Sequence, residues 1–444
     1  MIFHLSRRSF ARLVVASLVT TFAPVLLAQA EKAATNYALT VEAARSGAIY
    51  RKGEKVKFYV KLLLDQQPVT NANVRWKLSK DGVPPVKTGY LKLAEGRGSI
   101  TGKLREPGFL QCQVTFQTPA GSNLTALAGA GIDPLEIKPS LPVPADFDAF
   151  WSAQKKKLAA LPTSPRLKPE KSRVDIELFD LKADCVGAPV SGYLAKPVGA
   201  KPRSLPIILT VQGAGVRSSN RGGTMEWAQK GFLAMDINAH GIPNDQPDRF
   251  YTDLANGELK EYAFRGRESR ETVYFLGMFL RLVRAIDFLT AQPDWDGRTV
   301  VVFGGSQGGA QAFAAAGLDS RVTFFAALVP AMCDHTGAVV RRVAGWPKLV
   351  PKSDNGKPDA KVLEAARYYD AMNFAARIKA AGFVTVGFID TTCPPTSVYA
   401  AYNALRVPKE IFNDPPSTHA ISPKAMQAAR AAVLRHVEAM KSAK

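Results

Sequence analysis

The residues with the clearest capacity for chemistry are Gly304-Gly305-Ser306-Gln307-Gly308-Gly309, because a serine between closely spaced glycines can be lifted out of a sharp turn and exposed as a nucleophile. The run Thr299-Val300-Val301-Val302-Phe303 before it reads as a buried strand, and the alanine-rich stretch from Ala310 to Leu318 reads as a helix. A strand-to-helix turn of this kind aims the N–H of the residue after the serine, Gln307, at an oxyanion. A serine that merely caps the helix would have the same local sequence, so the rest of the chain must supply a base and a carboxylate.

A serine hydroxyl is a weak nucleophile until a base takes its proton. Among the five histidines, His4 lies in the N-terminal leader and His436 in the last predicted helix. His240 and His335 fall before or just after strand ends and could approach the site. His419, in Ser417-Thr418-His419-Ala420, has the expected place on a loop between the final strand and the final helix. The carboxylate should close a strand between serine and histidine in chain order. Asp390, after Val384 to Ile389 and before Thr391-Thr392-Cys393-Pro394-Pro395, meets that requirement, although it could also serve as a turn cap. Ser306, Asp390 and His419 thus follow the order of an α/β-hydrolase triad.

Around these positions the sequence is similar to the acetyl xylan esterase and cephalosporin C deacetylase family. The likeness rests on Gly304 to Gly309 with Ala315 to Val322, on Asp390 to Thr396 with Tyr399-Ala400-Ala401-Tyr402-Asn403, and on Asp146-Phe147-Asp148-Ala149-Phe150-Trp151. It spans roughly Pro142 to Lys444. It implies a serine esterase that deacetylates sugars, with Ser306, Asp390 and His419 as the triad and no cofactor. Three segments depart from the family pattern. Gln212-Gly213-Ala214 stands where the family has His-Gly-Tyr, Asn238-Ala239-His240 where it has Arg-Gly-Gln, and His419-Ala420 where it has His-Glu. The Ala214 N–H can still be the second oxyanion donor, and Asn238 and His240 become candidate pocket residues. The rival readings are a carboxylesterase or peptidase acting on larger acyl groups, and a non-catalytic glycan-binding protein on the same fold.

Positioning such a site requires strands that alternate with helices. Ile207 to Val211, Phe232 to Ile237, the elbow strand, Phe324 to Val329, Val384 to Ile389 and Glu410 to Phe412 alternate with helical patterns that include Thr272 to Leu289, Lys361 to Ala380 and Pro423 to Met440. This predicts a doubly wound, mostly parallel sheet over 136–444, with reactive groups beyond the carboxyl ends of the strands. Upstream, 31–135 holds short alternating strands such as Lys55 to Leu62 and Asn73 to Leu78, which predict a small all-β sandwich of immunoglobulin-like type. The proline-rich stretch from Pro134 to Pro144 marks the expected boundary.

With 46% hydrophobic and 22% charged residues in 444, the composition is that of a globular protein rather than a disordered one. The basic Arg7-Arg8-Ser9-Phe10, the apolar run to Leu27 and Ala28-Gln29-Ala30 predict a signal peptide over 1–30, twin-arginine in type, and hence export to the periplasm or medium. No later segment is apolar for long enough to span a bilayer. The formal charge of +20 is spread without runs, which argues against a nucleic-acid partner and for a solvated basic surface with some attraction to acidic glycans. The expected partners are an acetylated saccharide and, through the sandwich, its polysaccharide; no oligomeric state is assigned. The four cysteines could pair in an oxidising compartment, and no metal-ligand spacing is present in the sequence.

Overall fold

The computed structural model describes residues 36–82, 84–353 and 356–442. The predicted signal peptide lies outside the described residues. The chain begins with β1 (Tyr37–Ala43), β2 (Ile49–Tyr50), β3 (Val56–Leu64), β4 (Gln67–Pro68), β5 (Asn73–Lys80), β6 (Pro85–Lys92), β7 (Arg97–Gly102), β8 (Gly108–Gln117) and β9 (Asn123–Ile132). In β3 the odd residues Lys57, Tyr59 and Lys61 are exposed and the even ones from Val56 to Leu62 are buried, the period-2 pattern of a strand with one wet face. The strands form a sheet in which β3 pairs with β1, β4 and β7, and a five-stranded sheet ordered β2-β9-β8-β5-β6. A core including Phe58, Val60, Val74, Leu110 and Val114 lies between them, which makes this region a β-sandwich.

Next come α1 (Phe147–Ala159), β10 (Arg166–Pro169), β11 (Ile176–Ala183), β12 (Val190–Pro197), β13 (Leu205–Val211), α2 (Arg221–Gln229), β14 (Leu233–Ile237), α3 (Asp248–Asn256) and α4 (Phe275–Thr290). They are followed by β15 (Trp295–Gly305), α5 (Gln307–Leu318), β16 (Phe324–Leu328), α6 (Ala360–Ala366), α7 (Ala371–Ala375), β17 (Ala381–Gly387), α8 (Pro395–Ala404), β18 (Lys409–Asp414) and α9 (Pro423–Ser442). The nine-stranded sheet runs β10-β11-β12-β14-β13-β15-β16-β17-β18. Its first three pairings are antiparallel and the remainder are parallel. The predicted mostly parallel, doubly wound sheet is therefore present. One face is covered by a core that includes α1, α4, α5, α7 and α8, and the other by α2 and α9. Among the described residues no helix is long and apolar enough to cross a membrane.

One detail differs from expectation. The helix predicted over Lys361 to Ala380 is broken, because the Asp370 carboxylate accepts the N–H groups of Asp334, His335 and Met372 and starts a new helix, α7. The sandwich core and the core of the large sheet are distinct clusters that meet across the boundary stretch. Phe109 of β8 lies with its ring 4.8 Å from Phe388 and 5.5 Å from Tyr399, and residues 37–444 form one compact unit. The four cysteines are buried and unpaired.

Candidate active site

Ser306 sits at the carboxyl end of β15, the strand between β13 and β16. Its backbone, at φ 57° and ψ −121°, occupies a region that non-glycine residues visit at a cost of ~1–3 kcal/mol and that clusters at functional sites. The surroundings hold it there. Ser306 N–H donates to the Leu328 carbonyl at 2.8 Å, and Ala331 N–H donates to the Ser306 carbonyl at 2.9 Å. Glycines are required on both sides of the turn: a Cβ on Gly304 would lie 2.4 Å from the Gly308 carbonyl oxygen, and one on Gly308 would lie 2.3 Å from that of Val211. The Ser306 side chain makes no capping bond to α5.

Its hydroxyl instead lies 2.8 Å from His419 Nε2, and His419 Nδ1 lies 2.7 Å from Asp390 Oδ2. Because a carboxylate can only accept, Nδ1–H donates to Asp390 and Nε2 accepts from Ser306. Asp390 is fully buried. Its other oxygen, Oδ1, accepts the N–H groups of Thr392 and Cys393, each at 2.8 Å, so the aspartate is a turn cap and a partner of His419 at once. Ile389 N–H donates to the Ser417 carbonyl, which ties the aspartate loop to the histidine loop.

The loop after β13 lies against the nucleophile, since a Cβ on Gly213 would come within 3.7 Å of Ser306 Cβ. Arg217 donates to the carbonyls of Gly213 and Ala214, both at 3.0 Å, and so fixes the orientation of these peptides. Gln307 opens α5, where the first N–H groups have no carbonyl one turn back to bond. The Gln307 side chain is fully buried, and its Oε1 accepts the Tyr262 hydroxyl at 2.6 Å. Burial pushes the Tyr262 hydroxyl up to about 12, so it stays a donor.

Asn238 and His240 do not present free polar groups to a pocket. Asn238 Oδ1 accepts the N–H groups of His240 and Ile242 while its amide donates to the Ile242 carbonyl, closing its own turn. His240 is 4% exposed. Its Nδ1 lies 2.7 Å from the Tyr274 hydroxyl and its Nε2 lies 3.2 Å from the Gly215 carbonyl, so Nε2–H donates to the loop after β13. Burial pushes its pKa down to about 4, which keeps the ring neutral. His335 is buried and held neutral by burial, at about 3. His436 lies 3.0 Å from Thr323 Oγ1 and stacks on Phe324.

Folding also gathers a cluster that spacing in the sequence does not reveal. Asp390, Cys393 and His419 each place one donor atom within 4.8 Å of the others. Burial, followed by the charge of Asp390, pushes the Cys393 thiol well above its ordinary value, and both His419 nitrogens are already engaged. The trio is thus the Ser306 relay with a protonated thiol beside it, a poor fit to a metal ion.

A cavity of about 500 Å³ opens between α2 and α9, with Gly304, Gly305, Trp227, Ile421, Arg217 and Arg430 on its wall. Asp236 lies within it and accepts from Thr210 Oγ1, Gln212 Nε2 and the Asn220 N–H. Burial raises its pKa against the pull of those donors. Arg217, Tyr262 and this cavity are the features that sequence reasoning missed. The only signal for Arg217 was a cation shortly after a glycine-containing strand end.

Comparison with known proteins fits this geometry. The acetyl xylan esterase family pattern matches residues 134–435. The chain belongs to the acetyl xylan esterase family. It is a carboxylic ester hydrolase, of a family that acts on acetyl esters of carbohydrates. The acetyl esterase Axe7A of Xylanibacter ruminicola is 32% identical over 379 residues, which cover 84% of each chain. An alignment of that length reaches past the matched family segment into the β-sandwich. Among solved structures, an acetyl xylan esterase from Paenibacillus sp. R4 is 28% identical, with a TM-score of 0.59 over 68% of this chain and 98% of its own. Acetyl xylan esterase 1 from Thermoanaerobacterium sp. JW/SL YS485, 23% identical with a TM-score of 0.60 over 68% and 97%, shares the fold.

Proposed function

We propose that this esterase removes acetyl groups from saccharides through a covalent acyl-enzyme formed on Ser306. The observation that carries the reading is the continuous path from Ser306 Oγ through the His419 ring to Asp390 Oδ2, with steps of 2.8 and 2.7 Å. As Oγ attacks the ester carbonyl carbon, His419 Nε2 takes its proton, and Asp390 stabilises the imidazolium that results. The carbonyl oxygen becomes an oxyanion held by the N–H groups of Gln307 and Ala214. The tetrahedral intermediate collapses, the sugar hydroxyl leaves with the proton from His419, and acetyl remains on Ser306. Water then attacks with His419 as base, releasing acetate and restoring the serine. No cofactor takes part.

Residues 1–30 add export to the proposal, placing the enzyme in the periplasm or outside the cell, where acetylated polysaccharide is met. The sandwich contributes contact with the polymer. The test is acetate release from acetylated xylan and from acetylated small sugars by the mature chain, with Ser306→Ala as control. Hydrolysis of long-chain aryl esters without any sugar deacetylation would overturn the reading. The cavity beside Gly305 favours one second reading, a carboxylesterase for larger acyl groups.

A further inference from the structure

The outer face of the sheet built on β3 carries an arrangement that works against the stability of the fold. Lys61 of β3 stands directly opposite Arg97 of β7, with Lys57 four residues away on the same exposed face. Like charges directly opposite across a strand pair are destabilising. The only carboxylate lining the cavity between them is Glu42, which lies opposite Tyr59. Tyr59 itself is 51% exposed at the centre of this face. Lys57 Nζ sits 5.0 Å from its ring centroid, while Lys61 and Arg97 line a depression of about 530 Å³ beside it. An exposed aromatic ring among three cations and one carboxylate is a surface that favours a flat, anionic ligand over a neutral one.

This depression is not isolated. A second groove of about 450 Å³ runs between β1, β9 and the Pro415-Pro416 segment, and it shares Thr40 and Glu42 with the first. Pro416 precedes His419 by three residues, a reach of no more than about 10 Å of chain. The Ser417 carbonyl is fixed by Ile389 N–H, so the wall of the groove and the catalytic histidine are held by the same loop. Together the two depressions trace a path from the sandwich face to the loop that carries His419.

We propose that this path binds the main chain of a carboxylate-bearing, acetylated polysaccharide. Tyr59 stacks on a sugar ring, Lys61 and Arg97 pair with uronate groups, and the groove at Pro415-Pro416 leads the chain toward Ser306. The inference rests on the deacetylase reading and deepens it by naming an acidic polymer as the substrate.

The test uses the full mature chain, Tyr59→Ala, and the double variant Lys61→Gln/Arg97→Gln. All three positions are exposed, and relief of the like-charge pair should leave the double variant at least as heat-stable as the parent. Electrophoresis through gels containing deacetylated glucuronoxylan should retard the parent, neutral arabinoxylan should retard it far less, and both variants should migrate freely. Added salt should weaken the retardation. On acetylated glucuronoxylan, kcat/KM should fall about tenfold or more in either variant as anchoring contacts are lost, while p-nitrophenyl acetate turnover stays within about twofold. Equal retardation by both polymers, or unchanged polymer kinetics in both variants, would overturn the proposal. So would self-association of the parent that is lost in the variants without any polysaccharide binding, which would make the face a contact between copies. Gel retention does not depend on catalysis, so retention without deacetylation of any sugar would sink the functional reading and leave the binding surface in place.

Discussion

Asp81, in the turn that ends β5 of the sandwich, accepts the hydroxyl of Thr396 in the first turn of α8, the helix that follows the Asp390 loop. The carboxyl is buried, its Oδ1 has no partner among the described residues, and desolvation pushes its pKa up to about 7. Lys80 and Arg342 pull the value down and Asp334 pushes it up, but burial dominates. Since an unfolded aspartate titrates near about 3.9, the native state binds the extra proton between that value and about 7. Stability therefore falls as pH rises through this window, by at most about 1.4 kcal/mol per unit for this one group. Asp81→Asn keeps an acceptor for Thr396 and removes the titration. Its urea midpoint should drop less between pH 5 and pH 8 than that of the parent, over a background from Asp370, which burial raises to about 8. An identical pH slope in both proteins would show that Asp81 does not titrate in the fold.

The same contact region sets what truncation does. A chain beginning at Ser140 would lose Phe109, which is fully buried, and expose Phe388 and Tyr399, whose rings pack on it. It would also free Asn403, whose side-chain amide donates to the carbonyls of Pro134 and Ile137. Loss of a buried phenylalanine alone costs ~3–5 kcal/mol. We expect low soluble yield, or a clearly lowered melting temperature in what remains soluble. A truncated chain that melts with the parent would mean that these contacts contribute little.

Removing either end of the hydroxyl–imidazole pair should abolish turnover without unfolding the chain. Ser306→Ala and His419→Ala are each expected to reduce kcat on the order of 10⁵-fold or more, with the double variant little worse than either single one, because the groups act as a unit. Steady-state kinetics on p-nitrophenyl acetate, paired with circular dichroism, checks this. Near-normal turnover in His419→Ala would put the base elsewhere.

Arg217 offers a finer test of the proposed oxyanion loop, which it holds through the carbonyls of Gly213 and Ala214. Losing one oxyanion donor outright costs about 10²–10³ in kcat, and a loosened loop should cost less. Arg217→Ala is expected to lower kcat by about 10- to 100-fold with KM changed less than about threefold, and Arg217→Lys should recover only part, because it lacks the fork that reaches two carbonyls. An unchanged kcat would remove Arg217 from this role.

Much of this site could be read in the sequence because its parts are local. The valines of β15, the glycines of the elbow and the alanines of α5 each state their own conformation, and Asp390 and His419 sit at ends of recognisable strands. What could not be read depends on contacts distant in sequence. Asn238 and His240 read from the sequence as candidate pocket residues, yet their side chains are consumed by Ile242, Gly215 and Tyr274, which the folded loop brings near. Asp370 breaks a continuous helical pattern because its partners at Asp334 and His335 lie about 35 residues earlier. Phe109 looks like any inward residue of a sandwich strand, and its partner Phe388 is known only once the chain has folded.

Acyl size is where the family and this chain's own cavity give opposing indications. The family hydrolyses acetyl esters, and a small pocket discriminates each added methylene by only about 1–3 kcal/mol. The space beside Gly304 and Gly305 is about 500 Å³, far more than one acetyl group fills, and Trp227, Leu328 and Ile421 give it an apolar wall. Its polar side carries Arg217, Arg430 and the buried Asp236, groups that a long alkyl chain would strip of water without replacing their partners. That cost should keep octanoate out while leaving butyrate tolerable. For p-nitrophenyl esters we expect kcat/KM to fall about tenfold from acetate to butyrate and further to octanoate. Ile421 packs against the elbow, where a Cβ on Gly305 would come within 2.8 Å of its Cδ1. Ile421→Ala should therefore enlarge the space beside the elbow and raise the butyrate-to-acetate ratio about tenfold, the low end of the roughly tenfold to 200-fold range open to one pocket contact. If the parent enzyme prefers octanoate, acetyl selectivity is lost as a description of this site, and if Ile421→Ala leaves the ratio unchanged, the acyl group does not occupy this cavity.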